Sequence, residues 1–295
     1  MQFFRAGAAL MAAFALAACG DSSSNSSASP DPGQSRPALE LTFSESPVEL
    51  TNISADFAAN VAYGEAERNR FDIFIPDCED PTPLVIFIHG GGFTTGDKSS
   101  AYENFSDDIR EFLQDCVAYA TINYSLLEIP EDQAGLDSAA ERGGILTSMQ
   151  DTARALQFMR YHYQSLNLEP DNVALYGVSA GAGSSLWLGT HDDMAEPDND
   201  DPILHESTRV KAVGALHTQA TYDLLDWEEI LLPITEPFAE ILGGTDLPTL
   251  AEAVGATNYL LAAFAVTSIA ELYSGGMEEY RAVMDMLELM DSGAA

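Results

Sequence analysis

The chain has 295 residues, 46% apolar and 20% charged, a globular composition that excludes wholesale disorder, collagen and coiled coil. Asp and Glu number 47 against 12 Lys and Arg, a net charge of −35. A body this acidic repels phosphate backbones and anionic bilayer surfaces, which excludes nucleic-acid partners and charge-driven membrane binding; the charge speaks for solubility rather than for fold.

Residues 1–18 carry one positive charge, Arg5, followed by apolar and small residues from Ala6 to Ala18. The run is too short to span a bilayer and has the pattern of a secretory signal peptide. Its end, Leu16-Ala17-Ala18-Cys19-Gly20, resembles the bacterial lipobox, in which cleavage exposes the cysteine and lipid is attached to it. A plain signal peptide with an incidental cysteine is the alternative. Residues 19–40, rich in Ser, Asn, Gly and Pro, bury nothing and read as a flexible tether. The expected address is the bacterial cell envelope, the protein being exported and anchored only through lipid on Cys19, at the outer membrane or the periplasmic face. The lipobox resemblance implies that Gly20 after the cysteine, rather than Asp, favours the outer membrane. Of the three cysteines, Cys78 and Cys116 then remain in an oxidising compartment, where disulfides persist.

One α/β domain is expected over 41–295. Phe71–Ile75 alternates and ends at Pro76, a strand. Leu84–Ile88 is a continuous apolar run, as in a strand buried on both faces of a parallel sheet. Val117–Ile122 predicts the next strand, and the spacing of Leu146, Met149, Ala153, Leu156 and Met159 predicts a helix over 145–166. A short strand at 173–176, a helix at 182–190 and a strand at 209–216 follow. Strands separated by helices imply parallel pairing. From 221 to 295 the pattern is helical, in stretches at 224–231, 250–270 and 277–290. The apolar stretch from Tyr259 to Ala270 reads as a buried helix, or as a cap lining an acyl pocket.

Two motifs carry chemistry. Gly177-Val178-Ser179-Ala180-Gly181 is a G-x-S-x-G pentapeptide between a predicted strand and a predicted helix. A sharp strand-to-helix turn would hold the Ser179 hydroxyl above the sheet, with the following helix N-terminus aimed at developing negative charge. His89-Gly90-Gly91-Gly92-Phe93 directly follows the buried strand, and its glycines can present backbone amides to an oxyanion. With both motifs in this order, the sequence resembles the α/β-hydrolase fold, and within it the serine esterases of the hormone-sensitive-lipase and type-B carboxylesterase kind. Tyr63-Gly64, Asn123-Tyr124 and Leu168-Glu-Pro-Asp-Asn172 are further matches, and the resemblance covers roughly residues 55–220. It implies a mostly parallel sheet flanked by helices, with the helical C-terminal region placed as a cap. It also implies Ser179 as nucleophile, oxyanion amides at Gly91, Gly92 and Ala180, and a structural His89. In the family's sheet the second strand runs antiparallel beside the fourth, which implies a Cys78–Cys116 disulfide.

The triad does not close. The family order is Ser, then Asp or Glu, then His, after the last two strands. The five histidines are His89, His162, His191, His205 and His217, and no pair of strands is evident after Leu216. Three explanations stay open: a domain incomplete at its C-terminus, a non-catalytic relative, or a base from an unexpected position. The acidic loop Asp192–Asp201 could offer oxygen ligands to calcium but lacks a recognisable ligand spacing, and reads as a solvated loop. No cofactor and no metal are expected. The expected activity is hydrolysis of a small carboxylic ester through an acyl-enzyme on Ser179. The alternative is a hydrolase-like binding protein that has lost turnover.

Overall fold

Six strands form one sheet in the order β1-β2-β4-β3-β5-β6. They are β1 (Ala55–Ala62), β2 (Arg70–Pro76), β3 (Thr82–Ile88), β4 (Ala118–Ile122), β5 (Leu168–Val178) and β6 (Ala212–Leu216). The structure, a computed structural model, describes residues 36–218, 221–244, 246–274 and 277–286; residues 1–18, expected to be a signal peptide, and Cys19, expected to carry lipid, lie outside the described residues. β2 pairs antiparallel with both β1 and β4, while β4, β3, β5 and β6 run parallel. An antiparallel second strand beside the fourth, in an otherwise parallel sheet, is the arrangement of the α/β-hydrolase fold.

The continuous apolar runs dictate the centre of this sheet. On β3, Leu84, Ile86 and Ile88 face one core, while Val85 and Phe87 face another. A period of two sends successive side chains to opposite faces, so a strand covered on both sides has no place for a polar residue. The first face is covered by α4 (Gly144–Tyr161) and α5 (Ala180–Thr190), the second by α1 (Ser100–Asn104) and α2 (Ser106–Gln114), the latter through buried Ile109 and Leu113. α3 (Gln133–Glu141) is capped by the Asp132 carboxylate, which accepts from the Gly135 amide.

The C-terminal region is helical as expected, but more broken. Its helices are α6 (Leu224–Thr235), α7 (Ala239–Leu242), α8 (Leu247–Ala253), α9 (Thr257–Ala263), α10 (Ile269–Leu272) and α11 (Glu278–Met284). The predicted helix over 250–270 is three helices: Gly255 (φ 71°) ends α8, and Ala265 (φ 55°) follows the end of α9. Leu260–Phe264 are buried, so the apolar stretch packs as core. No described helix is long and apolar enough to cross a membrane.

Elsewhere the boundaries move. The strand predicted at 173–176 extends over 168–178, because Thr82 at the start of β3 pairs with Leu168 beyond an irregularity that the polar segment 169–172 disguised. The helix predicted to reach 166 ends at Tyr161, and the strand predicted from 209 starts at Ala212. Cys78, just after β2, and Cys116, just before β4, form a disulfide with Cα atoms 6.2 Å apart. The antiparallel pairing of Phe74 with Tyr119 brings those two ends together.

Candidate active site

Ser179 occupies the junction of β5 and α5, with φ 54° and ψ −120°. A non-glycine residue at positive φ is strained and persists only where its surroundings over-determine it. The Ser179 amide donates to the Leu216 carbonyl of β6 at 2.8 Å, and its carbonyl accepts from Gly183 of α5 at 2.9 Å. Sheet and helix thus grip the residue from both sides. The crossing leaves no room for a side chain next door: a Cβ on Gly181 would stand 2.1 Å from the Ile88 carbonyl oxygen. The glycine loop after β3 lies against this elbow, a Cβ on Gly90 falling 3.2 Å from that of Ser179.

The loop backbone is held from outside, peptide by peptide. The Gly90 carbonyl faces His89 Nδ1 at 2.7 Å, and the Gly91 carbonyl accepts from the amides of Thr94 and Thr95 at 3.1 Å. The Gly92 carbonyl accepts from the Tyr259 hydroxyl of α9 at 3.2 Å. A trans peptide is planar, so fixing each carbonyl aims the next amide N–H the opposite way. The amides of Gly91 and Gly92 donate to no acceptor among the described residues. Ala180 N–H sits in the first turn of α5, where helix geometry supplies no intrahelical partner.

His89 is part of this scaffold. A carbonyl cannot donate, so Nδ1 carries the proton and Nε2 is left to face the Arg68 guanidinium at 3.4 Å. Burial pushes its pKa down to about 4, so the ring is neutral at ordinary pH. It stacks on Tyr124 with ring centroids 4.4 Å apart, and the Tyr124 hydroxyl donates to the His89 carbonyl at 2.9 Å. Arg68, which the sequence did not single out, spans three parts of the loop's support. Its Nη2 donates to the Gly96 carbonyl at 2.9 Å and its Nε to the Tyr124 carbonyl at 2.9 Å. Tyr63 joins the same network, donating to the Asn123 carbonyl at 2.6 Å. The Tyr63-Gly64 and Asn123-Tyr124 dipeptides noted in the sequence therefore meet in the network that supports the glycine loop. Tyr259 was equally unmarked; its only sequence signal was membership of the apolar stretch 259–270.

The other histidines lie elsewhere. His162 packs on Phe158, His191 faces the Trp187 carbonyl through Nδ1 at 2.7 Å, and His205 faces the Asn199 carbonyl through Nε2 at 2.7 Å. His217 follows β6, next to the residue that accepts from the Ser179 amide; it is exposed and its ring makes no hydrogen bond among the described residues. The Ser179 hydroxyl likewise makes none among them. In the acidic loop, Asp193 accepts from the Thr208 amide at 2.8 Å and Asp201 pairs with Arg154 at 2.8 Å. Among the described residues no group of three or more His, Cys, Asp or Glu is placed to hold a metal.

Sheet order, strained serine elbow and buttressed glycine loop together define an α/β-hydrolase fold. A family model described as BD-FAE matches residues 71–270, more than half of the chain, and the chain belongs to that family. It is similar to the probable carboxylic ester hydrolase LipM of Mycobacterium tuberculosis, 27% identical over 202 residues, 66% of this chain and 42% of the relative. It is also similar to the para-nitrobenzyl esterase of Bacillus subtilis, 31% identical over 135 residues, 44% of this chain and 27% of the relative. The chain thus spans less than half the length of each of these curated relatives. Among solved structures, a bifunctional GH43-CE protein of Bacteroides eggerthii overlaps with a TM-score of 0.47 at 17% identity, covering 72% of this chain and 28% of that one.

Proposed function

We propose that the protein hydrolyses small carboxylic esters: Ser179 Oγ attacks the ester carbonyl, the bond to the alcohol oxygen breaks, the alcohol leaves with the serine proton, and water then cleaves the acyl–Oγ bond to release the acid. The observation that carries this reading is the pairing of a strained serine with the unspent amides of Gly91 and Gly92 across a contact too close for side chains. With Ala180 N–H they would surround the oxygen that turns negative in the tetrahedral intermediate, each donor contributing roughly 3–4 kcal/mol. The two esterase relatives support the ester as substrate. His89 does not serve as the base, since its protonated nitrogen is committed to Gly90 and its other nitrogen faces a cation. A fluorophosphonate probe is expected to label the protein at Ser179, and Ser179→Ala to abolish labelling; labelling at another serine overturns the assignment.

A second reading, a hydrolase-like binding protein, is favoured by one observation: the Ser179 hydroxyl has no hydrogen-bond partner among the described residues. An unassisted serine hydroxyl is a weak nucleophile. Folded protein that neither takes the probe nor releases p-nitrophenol from its acetate ester would select this reading. His217→Ala is expected to leave labelling unchanged; loss of labelling would make His217 the base.

The protein is further proposed to be exported and lipid-anchored at the cell envelope through Cys19, on the strength of the sequence Leu16–Gly20. Cys19→Ser should leave the precursor uncleaved and free of lipid. A mature N-terminus found elsewhere by mass spectrometry removes the anchor.

A further inference from the structure

The glycine loop adopts a turn that its own residues do not favour. Thr94 N–H closes on the Gly91 carbonyl at 3.1 Å, with Gly92 at φ 57° and Phe93 at φ 60° between them. Two central residues at positive φ make a type I′ turn, which favours Asn, Asp or Gly at both places. Gly-Phe suits the II′ turn instead, where only the first central residue needs positive φ. The two turns differ by a half-rotation of the 92–93 peptide plane, which would return Phe93 to ordinary negative φ. The Phe93 ring does not prevent this by itself: it is buried between Tyr124 and Tyr222, with centroids 6.1 and 5.7 Å away, but the rotation turns the peptide rather than the ring. The Leu127 amide holds the Phe93 carbonyl at 2.7 Å, on the far side of the residue from that plane.

The atom that would have to swing is the Gly92 carbonyl oxygen, and its hydrogen bond among the described residues comes from the Tyr259 hydroxyl. We propose that Tyr259 is a positioning residue for the oxyanion hole, its hydroxyl locking the 92–93 peptide in the strained I′ form. In that form the N–H groups of Gly92 and Phe93 point the same way. In the II′ form the Gly92 oxygen replaces the Phe93 N–H beside the Gly92 amide, turning the negative end of a dipole toward the forming oxyanion. The neighbouring Asn258 donates to the Pro130 carbonyl at 2.7 Å, so the first turn of α9 is fixed against the loop ahead of α3 as well. Burial pushes the Tyr259 pKa up, so the hydroxyl remains a donor through the neutral and alkaline range.

The inference rests on the assignment of Ser179 and its oxyanion amides, and the test separates the two. Tyr259→Phe removes one oxygen and keeps the ring. With the full chain, the maximal rate of fluorophosphonate labelling at Ser179 is expected to fall roughly tenfold, with the concentration for half-maximal rate and the thermal midpoint unchanged, as for a group that acts on the transition state alone. A crystal structure of the variant is expected to show Phe93 at negative φ and the Gly92 carbonyl reversed. Failure of the wild type to label at Ser179 sinks the nucleophile assignment, while the Phe93 dihedral still decides the turn. A wild type that labels, with a variant that labels equally fast or keeps Phe93 at positive φ, overturns the role of Tyr259.

Discussion

His89, structural by the family resemblance, has its protonation state fixed by its surroundings. Its motif position beside three glycines marks it in the sequence, but only the contacts to Gly90, Arg68 and Tyr124 define its protonation state. A histidine buried neutral has a folded pKa below its unfolded value near 6.5. Its stabilising contribution is therefore complete above about pH 6.5 and is lost as pH falls through about 4. His162 and His191 shift in the same direction, each through burial. Urea unfolding is expected to show stability falling from pH 7 toward pH 4, with His89 contributing about 3 kcal/mol of the loss. His89→Phe keeps a ring against Tyr124 but removes the donor to the Gly90 carbonyl. It is expected to cost about 1–3 kcal/mol at pH 7 and to flatten the pH dependence between 6.5 and 4. Ser179 and the three glycines were legible in the sequence because contiguous motifs encode them. Arg68 and Tyr259 were not, because each acts on the loop from a distant part of the chain and neither sits in a pattern of its own.

At the scale of elements, legibility followed burial. β3 could be read from its apolar run because the strand is covered on both faces. β1 escaped notice: Ala55–Ala62 holds four alanines and an Asn60 at φ 57° where its pairing with β2 shifts register, a composition with weak strand preference at a sheet edge. The segmentation of the C-terminal helices was equally hidden, since Ala265 is an ordinary helix former placed by tertiary contacts at φ 55°. The Cys78–Cys116 bond joins the ends of β2 and β4 across 38 residues that include β3 and the glycine loop. Replacing both cysteines by serine is expected to lower stability by roughly 3–4 kcal/mol in urea titrations, through the freer unfolded chain. Gly181→Ala, by contrast, acts on the folded state. With the Ile88 oxygen 2.1 Å from the new methyl group, the cross-over of β3 and α5 must widen, at a cost of about 1–3 kcal/mol and a displaced elbow. Loss of probe labelling exceeding loss of stability would show both effects.

For the whole molecule the dominant quantity is its charge of −35. That figure already includes the 12 basic residues, and among the described ones Arg160 is buried and donates to the carbonyls of Pro170, Ser207 and Arg209, while Lys98 pairs with Asp72 at 3.2 Å. Self-repulsion among surface carboxylates is screened over about 10 Å at 0.1 M salt and over about 30 Å at 0.01 M. The thermal midpoint is therefore expected to rise by several degrees between 10 and 500 mM sodium chloride, and a flat profile would show that the carboxylates are too well spread to oppose folding.

Arg36 bears on a different property, the response to pulling. Its guanidinium donates to the carbonyls of Arg160 and Tyr161 at 3.0 Å each, pairs with Glu206 at 2.8 Å and lies over the rings of Tyr161 and Tyr163. Three residues on, the Leu39 amide donates to Ser165 Oγ at 3.0 Å. These contacts fasten the leading segment of the domain, residues 36–39, to the end of α4 and to the residues just after it. Tension applied through the chain ahead of Arg36 meets these contacts first, while the elbow and its glycine loop lie at the opposite ends of β5 and β3.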